Sequence, residues 1–334
     1  MGTLLAADIG GTKSELAIFE SPSRDFKPLI RKRYLNQEFT DLFQIITSFL
    51  KDVDTVPLYA AIGVAGIVSG RKARLTNIDW RVDCGDLEYR FGFEKAVLVN
   101  DLTALCSGIN LLSPSDLIEL QQGVPGENEV KGVIAPGTGL GQGFLVETGG
   151  DVFSWGSEGG HVDFGPVDEE QIALLAWMQQ KKRPVSYEML IAGPGITELY
   201  FFCRDYHSIS ESSEIIERMK GHKDRTPVIV NGAIEKSPCP LCRKTIDLFL
   251  SILGSEAGNL ALKLYARGGI YVGGGIVPRL AGKISFTGFM KSFQDKGQMA
   301  EVMETIPVNL VVGGDVALLG AARIGQNMQT DKQG

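Results

Sequence analysis

The chain contains no apolar run approaching the ~20 residues of a membrane-spanning helix. It lacks a basic surplus: Lys and Arg total 33 against 40 Asp and Glu, for a net charge of −7. That balance argues against a nucleic-acid or anionic-membrane surface. It leaves a small anionic ligand open, because backbone amides and a metal ion can supply local positive charge. Cysteines number five, so they cannot all pair within the chain. An apolar strand begins almost at the N-terminus and leaves no room for a signal peptide, so reduced thiols and a cytoplasmic setting are expected. Cys239-Pro240-Leu241-Cys242 has no second pair to complete a zinc site. Pro240 suits a first helical turn, and the two cysteines read as structural. There is also no Gly-x-x-x-x-Gly-Lys-Ser/Thr loop, so any nucleotide must be held another way.

What is present is ordinary globular composition, 44% hydrophobic and 22% charged, and 334 residues suggest two domains. Glycine stands out, with 41 residues gathered at the ends of apolar runs. One arrangement is written twice. Residues 4–9 and 14–20 read as strands around Gly10-Gly11-Thr12, with Asp8 at the strand end. Residues 132–146 repeat the pattern around Gly137-Thr138-Gly139-Leu140-Gly141. Such turns can aim backbone amides and a threonine hydroxyl at phosphate oxygens, and Asp8 can orient Mg²⁺ or its waters. Gly-Gly also suits a plain hairpin turn. Two related turns, each opening a half of the chain, are harder to explain that way. Gly273-Gly274-Gly275 is a third turn at a strand end, where bare backbone would admit an adenine and ribose. It also reads as a strand-to-helix turn.

Between these motifs, a third strand is expected at 28–34 and a helix over 41–50 capped by Thr40 or Asp41. Strands follow at 59–65 and 95–99, then a helix from Leu102 to Leu112. This describes a mixed sheet covered by helices. Ser113-Pro114-Ser115 is a candidate boundary. Helical spacing then covers 168–182, 186–191, 195–207, 210–220, 226–235 and 238–266. Late strands lie near 269–272 and 308–312. A last helix is expected at 316–324, with a frayed end over 327–334.

Three further places carry chemistry. Asn100-Asp101 follows an apolar strand, where ligands of open α/β sheets sit. Asp101 can accept a proton from an attacking hydroxyl, and Asn100 can orient a second hydroxyl. Asp101 reads equally well as a helix cap. Glu158-Gly159-Gly160-His161 pairs a carboxylate with one of only three histidines, a set able to divide the hydroxyls of a sugar, or simply a satisfied loop. Glu188 stands at a helix start, where most glutamates serve the helix dipole.

Together these residues resemble the bacterial-type glucokinases of the hexokinase and actin-like ATPase superfamily. The blocks carrying the resemblance are Ala7 to Thr12, Leu75-Thr76-Asn77 with Trp80, Val99 to Ala104, and Gly137 to Gly141. They continue with Glu158 to Phe164, Ala192-Gly193-Pro194-Gly195, Gly258 to Leu262, Gly274 to Arg279 and Asp295-Lys296-Gly297. The resemblance implies an α/β, two-domain, ribonuclease H-like fold with a cleft between a small and a larger domain. The small domain would take residues 1–111 plus about 302–334, and the larger one 112–301 with helical insertions. It further implies ATP- and Mg²⁺-dependent phosphorylation of D-glucose at its 6-hydroxyl by a cytoplasmic homodimer. Asp101 would be the general base. Asn100, Glu158, His161, Glu188 and Gly137 would bind sugar. Asp8, Gly10, Gly11, Thr12, Gly137, Thr138 and Gly139 would surround the phosphates, with Mg²⁺ reached from Asp8 through water. Gly274 and Gly275 would lie near the adenosine.

Lys13 departs from this pattern, since Gly-Gly-Thr-Lys is usual in the related ROK sugar kinases. Those carry a cysteine-rich zinc motif after their Glu-x-Gly-His segment, whereas Val162 to Ile172 contains no cysteine. The branch without zinc is therefore expected. The alternatives are a ROK-like kinase for another hexose or N-acetylhexosamine, a non-catalytic sugar-sensing regulator, and an ATPase with a purely conformational output. The polar stretch Tyr206 to Lys223 is expected to be a surface excursion.

Overall fold

The computed structural model describes residues 2–22, 25–54, 56–76, 78–124, 126, 129–149, 151–313 and 315–330. The chain divides into two compact units, one of residues 1–113, 143–156 and 314–334, the other of 114–142 and 157–313.

In the first unit, β1 (Gly2–Ile9), β2 (Lys13–Ser21) and β3 (Pro28–Leu35) form an antiparallel meander. Helix α1 (Leu42–Leu50) follows, and Asp41 is its cap, accepting the Gln44 amide at 2.8 Å. Strand β4 (Tyr59–Val64) then runs parallel to β1. The short strands β5 (Gly66–Ser69), β6 (Lys72–Leu75) and β7 (Arg81–Asp83) make a separate small sheet. At three or four residues each, they are too short to show a period in the sequence. Leu75 and Trp80 are buried there, and the Leu75 amide bonds the Trp80 carbonyl at 3.1 Å. Asn77, quoted among the family blocks, lies outside the described residues. Helix α2 (Cys84–Phe91), strand β8 (Lys95–Asn100) and helix α3 (Asp101–Gly108) complete this stretch. The main sheet has the order β3-β2-β1-β4-β8. Leu4, Leu5, Ala6 and Ala7 are buried on both of its faces, which explains why β1 reads as a continuous apolar run.

The C-terminal helix, Val316–Thr330, packs on α3 and β1. A Cβ on Gly320 would stand 1.7 Å from the Ala104 carbonyl oxygen, and one on Gly108 would stand 2.0 Å from that of Val316. Only glycine permits this approach, and the approach fixes the helix that opens with Asp101. The fraying expected from residue 327 is corrected: the helix persists through Thr330, because Met328 joins the core formed by Leu4, Phe19 and Leu318. Residues 331–334 lie outside the described residues.

In the second unit, β9 (Leu117–Gln121), β10 (Lys131–Pro136), β11 (Leu140–Thr148) and β12 (Asp151–Ser157) come first, with residues 143–156 counted in the first unit. Helices α4 (Glu169–Gln179), α5 (Glu188–Ile191), α6 (Gly193–His207), α7 (Ser213–Met219) and α8 (Thr226–Ile234) lead to the 25-residue α9 (Pro240–Leu264). Then come β13 (Gly269–Val272), α10 (Val277–Leu280), α11 (Thr287–Gln294), α12 (Ala300–Thr305) and β14 (Val308–Val311). Strands β10, β13 and β14 are parallel, and β9 adds antiparallel to β14. Residues 302–334 are expected with the small domain but divide in the structure. In the structure, β14 pairs with β13 and β9, so residues up to 313 group with the second unit.

Helix α9 is buried along much of its length and α11 lies against it, with Phe289 and Phe293 seated over Gly254 and Gly258. Strands β9 and β12 and helices α11 and α12 were not legible beforehand. Between Tyr206 and Lys223, Ile215 and Met219 are buried while most of the polar residues face outward. The five cysteines are free thiols, four of them buried, and burial pushes Cys106 and Cys203 up to about 12. Among the described residues no helix is long and apolar enough to cross a membrane.

Candidate active site

In the first unit, β1 delivers Asp8 beside Glu15 on β2 and Gly63 on β4. Burial pushes the Asp8 carboxyl up to about 7. The charges of Asp101, Glu15 and Asp315 add to this, and Lys13 opposes it. Carboxylates crowded in a desolvated place are what a divalent cation relieves. Among the described residues no group of three or more His, Cys, Asp or Glu is placed to hold a metal alone.

The Gly10-Gly11-Thr12 turn is braced by a residue the sequence reading overlooked. Asn36, buried just beyond β3, donates from Nδ2 to the Gly10 carbonyl at 2.8 Å and from its backbone amide to the Thr12 carbonyl at 2.9 Å. Its Oδ1 accepts the buried Ser14 hydroxyl at 2.7 Å. Inside the turn, the Gly10 amide bonds the Lys13 carbonyl at 3.0 Å. Nothing local marks Asn36: it lies 26 residues from Gly10 and reaches it only through the β2–β3 pairing.

Asp101 is the first residue of α3, and Asn100 is the cap. Asn100 Oδ1 accepts the Leu102 amide at 3.0 Å, and its Nδ2 donates to the Gly66 carbonyl at 3.2 Å. One Asp101 carboxylate oxygen shares that Leu102 amide at 3.0 Å. The helix is thus capped by the neighbour of the residue that was the alternative candidate for capping.

In the second unit the glycine turns converge. Parallel pairing of β10 with β13 sets the turn after β10 beside the turn after β13. A Cβ on Gly137 would come 3.9 Å from the Gly275 amide nitrogen. Gly274 has a φ of +81°, and a Cβ there would stand 2.3 Å from the Pro136 carbonyl oxygen, so this position requires glycine. Around Gly275 nothing lies within 4 Å of a built Cβ. The Gly137 amide closes its turn on the Gly139 carbonyl at 2.8 Å, and the Gly137 carbonyl accepts the Gly193 amide at 2.8 Å. Thr226 Oγ1 steadies Gly193 through its carbonyl at 2.6 Å.

Glu188 joins this turn to the polar segment. Its Oε2 accepts the Leu140 amide at 2.9 Å and lies 2.7 Å from where a Gly139 Cβ would stand. Its Oε1 lies 3.8 Å from His161 Nδ1, and His161 Nε2 lies 3.7 Å from Glu158 Oε2. These separations exceed a hydrogen bond, so the three groups are grouped but not consumed by one another. Glu158 is almost fully exposed, His161 more than half and Glu188 a third. Such a set offers two acceptors and an adaptable imidazole to a ligand rich in hydroxyls.

The chain is similar to solved sugar kinases. A glucokinase from an Antarctic psychrotroph superposes with a TM-score of 0.86 at 29% identity, over 98% of this chain and 99% of that one. A ROK-family glucokinase from Streptomyces griseus, solved with glucose and AMPPNP, gives 0.65 at 19% identity over 98% and 100%. With the sites above, this defines a sugar kinase of the actin-like ATPase fold. The assignment sharpens with sequence. The glucokinase family model matches residues 5–328. The glucokinase of Nostoc punctiforme is 38% identical over 336 residues, covering 96% of this chain and 98% of that one. The chain belongs to the glucokinase family.

Proposed function

We propose that the protein transfers the γ-phosphoryl group of ATP to the 6-hydroxyl of D-glucose, with Asp101 as general base. The observation that carries this reading is Glu188. One of its oxygens holds the second glycine turn and the other faces His161 and, beyond it, Glu158. The groups assigned to donor and acceptor thus share a carboxylate.

Glu158 and Glu188 accept hydrogen bonds from sugar hydroxyls, and His161 donates or accepts according to its tautomer. Asn100 retains one amide hydrogen beyond the bond to Gly66, enough to orient a hydroxyl near Asp101. Asp101 takes the hydroxyl proton late, because phosphoryl transfer is loose and depends mainly on positioning and charge stabilisation. The Gly10-Gly11-Thr12 turn offers backbone and hydroxyl donors suited to phosphate oxygens, and so does the Gly137-Thr138-Gly139 turn. Gly274 and Gly275 leave open backbone for the adenosine. Asp8 would hold Mg²⁺, which when bound would neutralise phosphate charge. We extend the reading to a cytoplasmic homodimer, which size-exclusion chromatography with light scattering checks.

A coupled assay over glucose, mannose, fructose, glucosamine and N-acetylmannosamine tests the substrate. Glucose is expected to have the highest kcat/KM, and a higher value for another sugar overturns the assignment. Asp101→Asn tests the base: kcat should fall by at least ~10² with glucose binding retained. Near-normal turnover in that variant removes Asp101 from the role.

A further inference from the structure

Behind the polar segment lies a set of buried groups that no step above uses. Glu256 on α9 is fully buried, Gln142 on β11 is 2% exposed, and Asn259 and Lys296 lie beside them. Each link has only one workable polarity. Lys296 can only donate, and its ammonium reaches Asn259 Oδ1 at 3.0 Å and the Ser255 carbonyl at 3.0 Å. The Asn259 amide must then turn its NH₂ to Glu256 Oε2 at 3.0 Å and the Tyr187 hydroxyl at 3.1 Å. Gln142 in turn donates from Nε2 to Glu256 Oε1 at 2.9 Å. The Gln142 side-chain oxygen Oε1 is left facing Gly159, 2.4 Å from where a Cβ there would stand. Burial lowers the Lys296 ammonium below its usual range, and Glu256 is the first charge that opposes this. Glu256 therefore supports the Lys296 ammonium across Asn259.

Both arms of the set end on the segment that bears Glu158 and His161. At its start, the Gln142 side-chain oxygen packs against Gly159, while the Ser157 hydroxyl donates to the Gln142 backbone carbonyl at 2.9 Å and accepts the Gly159 amide at 3.2 Å. At its far end, the Gly165 amide reaches the Tyr187 hydroxyl at 3.4 Å. Tyr187 immediately precedes Glu188 in the chain.

We infer that Glu256 is a positioning residue for sugar recognition, fixing residues 157–165 from both ends and so setting Glu158 and His161 against Glu188. The inference rests on the reading that those three residues bind the sugar. It places a specificity determinant in the middle of a buried helix, with no contact to substrate.

The test is steady-state kinetics of Glu256→Gln and Gln142→Met in the full chain, with glucose and ATP varied independently and folding checked by cooperative melting. Each variant should raise KM for glucose about 10-fold, with KM for ATP and kcat held within about 3-fold. A folded Glu256→Gln variant with glucose KM within about 2-fold of wild type overturns the inference. So does an equal rise in both KM values, which marks general loosening of the unit. If Glu256→Gln does not fold, Gln142→Met decides alone, because it leaves Glu256, Asn259 and Lys296 in place. Glu158→Gln serves as the control. If it leaves glucose KM unchanged, the sugar-site reading itself fails; if it raises KM while the other two variants do not, only the positioning role fails.

Discussion

The two units treat buried negative charge in opposite ways. In the second, Glu256 is fully buried yet satisfied, with two amide donors and Lys296 one residue removed. In the first, Asp8 is crowded by Asp101, Glu15 and Asp315, and its carboxyl is held at about 7. Glu15 has Arg33 at 2.9 Å and also Arg31, so the unmet charge is concentrated on the Asp8 side. A compensated carboxylate is architecture, since it rigidifies what surrounds it. A crowded one is costly to keep, and such cost gathers where a cationic ligand is to be bound. The contrast separates the supporting framework in the second unit from the charge-crowded group in the first.

The largest break in this comparison should come from Asp8→Asn. Removing the charge is expected to lower kcat by ~10² or more, through loss of the metal-orienting group. The same change should stabilise the ligand-free protein. The folded Asp8 keeps a proton that the unfolded chain gives up near its ordinary value of 3.8, so stability falls as pH rises from about 4 to about 7. The variant should therefore melt higher at pH 8, by about 1–3 kcal/mol of unfolding free energy, and show little gain near pH 4. Equal melting at pH 8 would place Asp8 among the satisfied carboxylates. Chemical denaturation at the two pH values supplies the measurement.

Glu188→Gln should have the next effect. The amide oxygen still accepts the Leu140 N–H, so melting should hardly change, while KM for glucose rises about 10-fold with loss of the acceptor charge beside His161. An unchanged KM would leave Glu188 as a brace for the turn alone. Asn36→Ala should be smaller in catalysis and visible in stability. It strips the Gly10 carbonyl and the Ser14 hydroxyl of buried partners, costing about 1–3 kcal/mol. It should raise KM for ATP more than KM for glucose. The reverse order would detach the Gly10 turn from the phosphates.

Much of this was legible in local pattern. The hairpin of β1 and β2, a cap at Thr40 or Asp41 and the turns after β10 and β13 follow from apolar runs, capping chemistry and glycine placement, all short-range constraints. The sheet of β5, β6 and β7 was not legible, because its strands are shorter than the period that would reveal them. Nor was the end of the C-terminal helix: the polar look of residues 327–330 concealed Met328, which turns into the core. At Asn100-Asp101 the chemistry was visible, but which residue is the cap and which opens the helix was a matter of one helical position.

By itself the sequence determined which residue types stand at strand ends and which turns must be glycine, since strand period and positive φ act within a few residues of their cause. It also carried the family blocks in order. Only the tertiary structure decided which of these groups meet. Asn36 reaches Gly10, Gln142 reaches Glu256 114 residues away, and Lys296 reaches Asn259. A hydrogen bond requires its partners within about 3 Å. No spacing along the chain encodes that distance until the sheets and α9 have packed.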